Sequence, residues 1–263
     1  MIKLNNISID YGGDYLFRNI SILIKKNDRI GLIGNNGSGK TTLLKILAKS
    51  EDPSSGNIEQ ENNLKIAYLP QDLSFKSDIM LKEYTMGSNA ILKSLDSKLE
   101  DLNQKLKNTS LEKDQYKLLE EIDSIHQEID KIDRLRLEIL SEKIMKGLGF
   151  SNIDFNKSIN TFSGGWKMRA ELSRLLIQEP DIILLDEPTN HLDLPAIIWL
   201  EKFLNSTNCS IVLVSHDIKF LNKNVDRILD ISNKTIKDFK GNYSNYIIYR
   251  EKEIEKQIRE KKN

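Results

Sequence analysis

The sequence predicts an α/β fold: a largely parallel sheet, an antiparallel β region at the N-terminus, and a helical subdomain inserted between the two. Three observations carry that reading. Short apolar runs, Ile182 to Leu185 and Ser210 to Val214, are separated by helix-length segments, as in buried parallel strands. Near the N-terminus, apolar residues instead alternate with polar ones. Between these regions, leucine and isoleucine recur every three or four residues over a long stretch.

In chain order, Ile2, Leu4, Ile7 and Ile9 mark a first strand region. Ile20, Ile22 and Ile24 mark a second, with Gly12-Gly13 as the turn between them. Arg29 to Ile33 is a short apolar strand that runs into a glycine-rich loop. A helix follows from Lys40 and is expected to bury Leu43, Leu44 and Leu47. Pro53 to Gly56 reads as a polar break, and Lys65 to Leu69 as a strand closed by Pro70. Near Glu83 the character changes. Leu92, Leu95, Leu99, Leu102 and Leu106 form an apolar seam, which resumes after Asn108-Thr109-Ser110 at Leu118, Ile122, Ile125, Ile129 and Ile132. Thr109 and Glu112 have the spacing of a capping box for the second helix. Two amphipathic helices joined by a short polar turn predict an antiparallel hairpin, Leu92 to Ile139. Either it packs on its own domain or it projects as an arm toward a partner; spacing does not separate the two. The helical pattern ends near Gly147 and Gly149. Gly165 to Ile177 and Ala196 to Leu204 read as helices, and Ile228 to Ile231 with Thr235 to Phe239 as a hairpin about Asn233-Lys234. Beyond Tyr243 the chain is a charged helix. Ile254 and Ile258 give it little apolar surface, so a solvated tail or the start of a linker is expected.

The 263 residues suffice for one large core carrying a smaller insertion. With 39% hydrophobic and 30% charged residues, a soluble globular protein is expected. The 39 basic and 39 acidic side chains cancel, which excludes a global attraction to nucleic acid or anionic membrane but not a local basic patch. A single cysteine, Cys209, excludes an intrachain disulfide framework and fits a reducing compartment. No basic segment followed by an apolar one opens the chain, and no apolar run approaches ~20 residues. Neither a secretory signal nor a membrane span is expected.

The chemistry begins at Gly34-Asn35-Asn36-Gly37-Ser38-Gly39-Lys40-Thr41, which fits G-x-x-x-x-G-K-S/T in full between a strand and a helix. The glycines let the backbone curl so that its N–H groups face phosphate, and the helix N-terminus favours an anion. Lys40 offers a cation to β- and γ-phosphates, and the Thr41 hydroxyl a ligand to Mg²⁺. Asp186 ends an apolar strand at the sheet edge where Mg²⁺ with nucleotide would be held. Glu187 is a candidate to orient and deprotonate an attacking water. His216, just beyond the next buried strand, is a candidate γ-phosphate contact. Gln71 follows a strand end, where its amide oxygen is a candidate Mg²⁺ ligand or γ-phosphate sensor. Ser163-Gly164-Gly165 precedes a helix and is a candidate second anion site, serving the same nucleotide or one on another subunit. His126 reads as a surface or packing residue, and His191 is ambiguous on chemistry alone.

Together these residues resemble the ATP-binding-cassette (ABC) ATPases, which implies the P-loop NTPase fold of that type. Gly34 to Thr41 matches the Walker A loop, Gln71 the Q-loop, and Phe162-Ser163-Gly164-Gly165-Trp166 the family signature. Ile182 to Asp186 matches Walker B, Glu187 the catalytic glutamate, Asn190-His191-Leu192-Asp193 the D-loop and His216 the switch histidine. Tyr11 sits where the family stacks an aromatic on adenine, and Thr42 falls in its nucleotide-binding stretch. The likeness covers nearly the whole chain, in the family's order. It implies that ATP with Mg²⁺ binds and is hydrolysed to ADP and phosphate. It also implies that two such domains close head to tail, with Ser163, Gly164 and Gly165 contacting the partner's nucleotide. A second ABC domain, in tandem or as a homodimer, would be required for full activity.

Trp166 and Asn190-His191-Leu192-Asp193 stand where transport subunits usually carry glutamine and Ser-Ala-Leu-Asp. The stretches Phe162 to Arg169 and Gly241 to Ser244 are similar instead to the ABC-F proteins. Those are soluble, carry two ATP-binding domains, and include ribosome-associated translation and antibiotic-resistance factors. The resemblance implies the first of two domains. Residues 1–82 and 148–240 would form the ATP-binding core, 83–147 a helical subdomain with an arm hairpin, and 241–263 the start of a linker that in ribosome-acting members reaches the P-site tRNA. A cytoplasmic location and a ribosome or tRNA partner go with it. Two other readings stand beside this one. An ATPase subunit of a membrane transporter would present a groove near Gln71 to its membrane partner. A nucleotide-gated interaction module with little turnover is disfavoured by Glu187.

Overall fold

The computed structural model describes residues 1–71, 79–86, 90–108, 112–131 and 134–260. In chain order the elements are β1 (Ile2–Tyr11), β2 (Asp14–Ile24), β3 (Arg29–Gly34), α1 (Lys40–Leu47), β4 (Ser55–Gln60), β5 (Ile66–Leu69), α2 (Leu81–Met86), α3 (Ala90–Asn108), α4 (Glu112–Lys131), α5 (Arg134–Gly147), α6 (Gly164–Ile177), β6 (Ile182–Asp186), α7 (Leu194–Ser206), β7 (Ser210–Val214), α8 (Ile218–Asn224), β8 (Arg227–Ser232), β9 (Thr235–Lys240) and α9 (Tyr243–Glu260). They fall into two compact units, Met1–Ser74 with Glu179–Asn263, and Phe75–Gln178.

The first unit holds two sheets. One is antiparallel, in the order β2-β1-β4; the other runs β5-β6-β7-β3-β8-β9 and is parallel up to its last strand. Every residue of β6 and β7 is buried, which is why both read as unbroken apolar runs. In β3 the alternation is visible: Ile30 and Leu32 join the core facing the antiparallel sheet. Gly31 faces the other way, where a Cβ would lie 2.9 Å from Ile228 Cδ1 and 3.2 Å from Val225 Cγ2. Helix α1 lies within the core between the sheets, burying Leu43, Leu44, Ile46 and Leu47 beside Ile7, Phe17, Leu184 and Val212. The helices behind the sheet are capped by their own sequence. Asp193 accepts from Ala196 N–H at 3.1 Å, and Asp217 from Lys219 and Phe220 N–H at 2.9 and 3.1 Å. At the end of α7 the Arg29 guanidinium donates to the carbonyls of Leu204 (2.7 Å) and Thr207 (3.3 Å).

Two elements depart from the expectation. The polar break at Pro53 to Gly56 runs directly into β4, which pairs with β1 although Ile58 is its single apolar residue. The charged C-terminal helix is also better anchored than expected. Tyr246 is buried and donates to Asp230 Oδ2 at 2.5 Å, and the Tyr249 ring stacks on Phe239 at 5.1 Å. Tyr246 is the helix's one buried side chain among the described residues; Ile248, Tyr249, Ile254 and Ile258 are exposed.

In the second unit α3 and α4 pack along each other. Of the expected seam, Leu95, Leu102 and Ile122 are buried and Leu99, Leu106, Leu118 and Ile125 half-buried. Thr109, Ser110 and Ile132, with the side chains of Leu92, Glu112 and Ile129, lie outside the described residues, and so does the capping box. Helices α2, α5 and α6 gather about Leu81, Met145, Phe150, Phe155, Ile159 and Ala170. Tyr84 of α2 donates to the Glu171 carboxylate on α6, which Arg174 Nε also reaches at 2.7 Å. The unit is therefore wider than the expected 83–147. Residues 148–178 go with the helices because Phe150, Ile159 and Ala170 bury against α2 and α5, contacts that no local pattern announces.

Because α1 is covered on both sides, Leu44→Ala is expected to lower stability by about 2–5 kcal/mol. The shift of the urea midpoint measures it, and a loss under about 1 kcal/mol would contradict this packing.

Candidate active site

The loop joining β3 to α1 owes its shape to two glycines that leave no room for a side chain. At Gly34 (φ 153°) a Cβ would lie 2.5 Å from Ser38 Oγ and 2.6 Å from the Ile231 carbonyl oxygen. At Gly39 (φ 100°) it would lie 2.8 Å from Leu16 Cδ2 and 2.9 Å from Phe17 Cδ1. Lys40 folds back over the loop, its Nζ donating to the carbonyls of Gly34 (2.9 Å) and Asn35 (3.0 Å). One residue on, Thr41 Oγ1 donates to Asp186 Oδ2 at 2.7 Å and links the first turn of α1 to the end of β6. Burial pushes the Asp186 carboxyl above its ordinary range, against the opposing pull of the Thr41 hydrogen bond and the Lys40 and Lys45 charges.

Glu187 is held in the left-handed region (φ 52°, ψ 51°), an unusual conformation for a side chain of its size. Its N–H donates to the Val214 carbonyl at 2.9 Å. The carboxylate is buried, and Oε2 accepts from the His216 backbone N–H at 3.1 Å. Oε1 has no hydrogen-bond partner among the described residues, although His216 Nε2 stands 3.5 Å away on an exposed imidazole. Adjacent carboxylates are thus set differently: Asp186 is tied to a hydroxyl, and Glu187 keeps one buried oxygen free.

Tyr11, Gly37, Gly39, Lys40, Thr41, Thr42, Gln71, Asp186, Glu187 and His216 all line one groove of about 530 Å³, together with Asn36 and Asn190. Asn35 and Ser38 line a neighbouring cavity of about 520 Å³ that shares Leu16, Asn36 and Gly37 with it. Leu16 and Val214 also border the groove. The residue-level reading missed both, because an aliphatic side chain in a strand carries no chemical flag. Ser163, Gly164 and Gly165 begin α6 in the second unit. Ser163 occupies the N-cap position without a side-chain capping bond, and its carbonyl accepts from Lys167 N–H at 2.9 Å. The donor set suits Mg²⁺ held with a nucleotide: Thr41 and Asp186 are in contact, and the Gln71 amide borders the same groove. Among the described residues no three His, Cys, Asp or Glu side chains cluster as an all-protein cage for a metal ion.

A parallel-sheet domain whose central strand enters a Lys- and Thr-bearing glycine loop, with a strand-end carboxylate bound to that threonine, is a P-loop nucleotide-binding domain. The family model described as ABC transporter matches residues 17–190. The ABC transporter F family member 5 of Arabidopsis thaliana is 35% identical over 258 residues, covering 97% of this chain and 37% of that protein. The probable ATP-binding protein YheS of Escherichia coli K12 is 34% identical over 250 residues, covering 95% of this chain and 37% of YheS. Among solved structures, the ATP-binding subunit of an ABC transporter superposes with a TM-score of 0.67 at 18% identity, covering 93% of this chain and 91% of that one. A dimeric ATP-binding cassette bound to ADP and Pi superposes with a TM-score of 0.62 at 20% identity, covering 91% and 98%. The chain belongs to the ABC transporter family of ATP-binding domains, in its F branch. It spans well under half the length of those two curated relatives, 37% of each. Among its described residues no helix is long and apolar enough to cross a membrane.

The Gly34 contacts make a specific prediction. Gly34→Ala must push Ser38 or the β8 backbone aside, and is expected to weaken ATP binding about tenfold or more. Titration calorimetry checks it, with circular dichroism confirming that the fold is kept; unchanged affinity would show that the loop does not need this shape.

Proposed function

We propose that this chain is an ATP-hydrolysing domain whose nucleotide drives closure against a second ABC domain, and that the whole protein acts on the ribosome from the cytoplasm. The observation that carries the enzymatic part is Glu187: a buried carboxylate on the groove wall, fixed through Oε2 and left with Oε1 to accept a proton. In this reading the loop N–H groups and Lys40 hold the β- and γ-phosphates. Thr41, Asp186 and Gln71 would hold Mg²⁺, which would neutralise phosphate charge. Oε1 of Glu187 orients the attacking water and takes its proton. His216, whose imidazole is exposed beside Glu187, contacts the γ-phosphate end. Tyr11 takes the adenine ring, with Leu16 at the same edge of the groove.

Ser163, Gly164 and Gly165 are assigned to the nucleotide of a partner domain, supplied by a tandem copy or a second chain. ATP binding then has domain closure as its output. The F-branch relatives, with Trp166 and Asn190-His191-Leu192-Asp193, support the F branch, and the ribosome as target fits that branch. The same two features weigh against the transporter-subunit reading.

Glu187→Gln in the full-length protein is expected to keep ATP binding while phosphate release falls about 100-fold or more. Undiminished release would remove Glu187 from this role. Lys40→Ala is expected to weaken ATP binding itself. The Glu187→Gln protein should pellet with ribosomes in an ATP-dependent way. Co-purification with an integral membrane protein instead would favour the transport subunit.

A further inference from the structure

Tyr11 is an exposed residue at the very end of β1, so packing does not fix its ring. An exposed aromatic that must present one face to a ligand loses rotamer freedom on binding unless something holds it beforehand. Here the Tyr11 hydroxyl donates to Glu51 Oε1 at 2.6 Å, a short bond of the charge-assisted kind. That bond is also the main reason the Tyr11 phenol is pushed above its ordinary range.

Glu51 is itself well placed to act as an anchor. Helix α1 ends with Lys49 in the left-handed region (φ 57°), while the N–H and hydroxyl of Ser50 both donate to the Lys45 carbonyl, at 2.9 and 3.1 Å. This is a Schellman ending, which sets the direction in which the chain leaves the helix. Three residues beyond Glu51, Ser54 Oγ accepts from Asp10 N–H at 3.0 Å, and Ser54 N–H donates to the Ser8 carbonyl at 2.9 Å. The loop after α1 therefore clamps the end of β1 at three points: the backbone of Ser8, the backbone of Asp10 and the side chain of Tyr11.

We infer that Glu51 is a positioning residue for base recognition, holding the Tyr11 ring at the edge of the groove in the orientation that stacks on a purine. The inference rests on the proposal that Tyr11 is the base platform. It assigns Glu51 no contact with the phosphates and no reading of base edges. ATP and GTP should therefore depend on it alike, and inorganic tripolyphosphate not at all.

Titration calorimetry of the chain with Mg²⁺ and each of these three ligands tests the inference. Glu51→Ala and Tyr11→Phe are each expected to weaken ATP and GTP binding about two- to tenfold, the worth of one hydrogen bond. The double variant should be no weaker than either single one, because both remove the same bond. Glu51→Gln, which keeps an acceptor, should recover most of the loss. Tripolyphosphate binding should not change in any variant. ATP affinity unchanged by Glu51→Ala, or an equal loss for tripolyphosphate, would overturn the inference. Tyr11→Ala separates it from the reading beneath. Unchanged ATP affinity in that variant removes the base platform altogether. Weakened affinity there, with none in Glu51→Ala, removes the positioning role alone.

Discussion

Helix α1 sits between two sheets, and nearly every group in the groove takes its place from that burial. Leu43, Leu44, Ile46 and Leu47 face both layers, so the helix can neither roll nor slide without opening the core. Its first turn is thereby held against the end of β6, where Thr41 meets Asp186. The preceding loop must then close the gap from β3 in few residues. Gly34 and Gly39 make that closure possible, since each lies against atoms that a Cβ would displace. The phosphate cradle is thus a consequence of where the core puts a helix and a strand.

The same sheet edge carries an electrostatic cost. Asp186 and Glu187 are both buried carboxylates, and burial without partners would be strongly unfavourable. The structure offsets this only in part. Asp186 has the Thr41 hydroxyl and two lysine charges nearby, and Glu187 has one backbone donor and the His216 imidazole at 3.5 Å. Glu187 keeps one buried oxygen without a hydrogen bond and holds a left-handed backbone, and so breaks two local rules at one position. Such violations concentrate where function requires them.

Strand β8 links this edge to the rest of the unit. It pairs with β3 through Gly34 and Ile231, and the Ile231 carbonyl bounds the space at Gly34. One residue earlier, Asp230 accepts the hydrogen bond from Tyr246 of α9. The phosphate loop and α9 are therefore fastened to consecutive residues of one buried strand.

What could be read from the sequence divides along physical lines. Buried parallel strands, the glycine loop and the helical seam each carry a local period or motif, so β6, β7, the loop at Gly34 to Thr41 and the pairing of α3 with α4 were legible. Glu187 and His216 were singled out by motifs in a fixed order, and the fold brings both to one groove. Strand β4 was not, since its pairing with β1 rests on backbone hydrogen bonds and a single apolar side chain. Nor was the extent of the second unit, because residues 148–178 join it through contacts distant in sequence. Leu16 and Glu51 are the sharpest cases. Leu16 reads as one more strand residue, and its proximity to Gly39 depends on how β2 lies over the loop. Glu51 reads as a loop acid, and its bond to Tyr11 joins residues forty positions apart. Motifs disclose the groups that meet phosphate, because phosphate demands a particular local backbone. Leu16 and Glu51 are ordinary residues brought to the groove wall and to Tyr11 by tertiary packing, and only the fold reveals them.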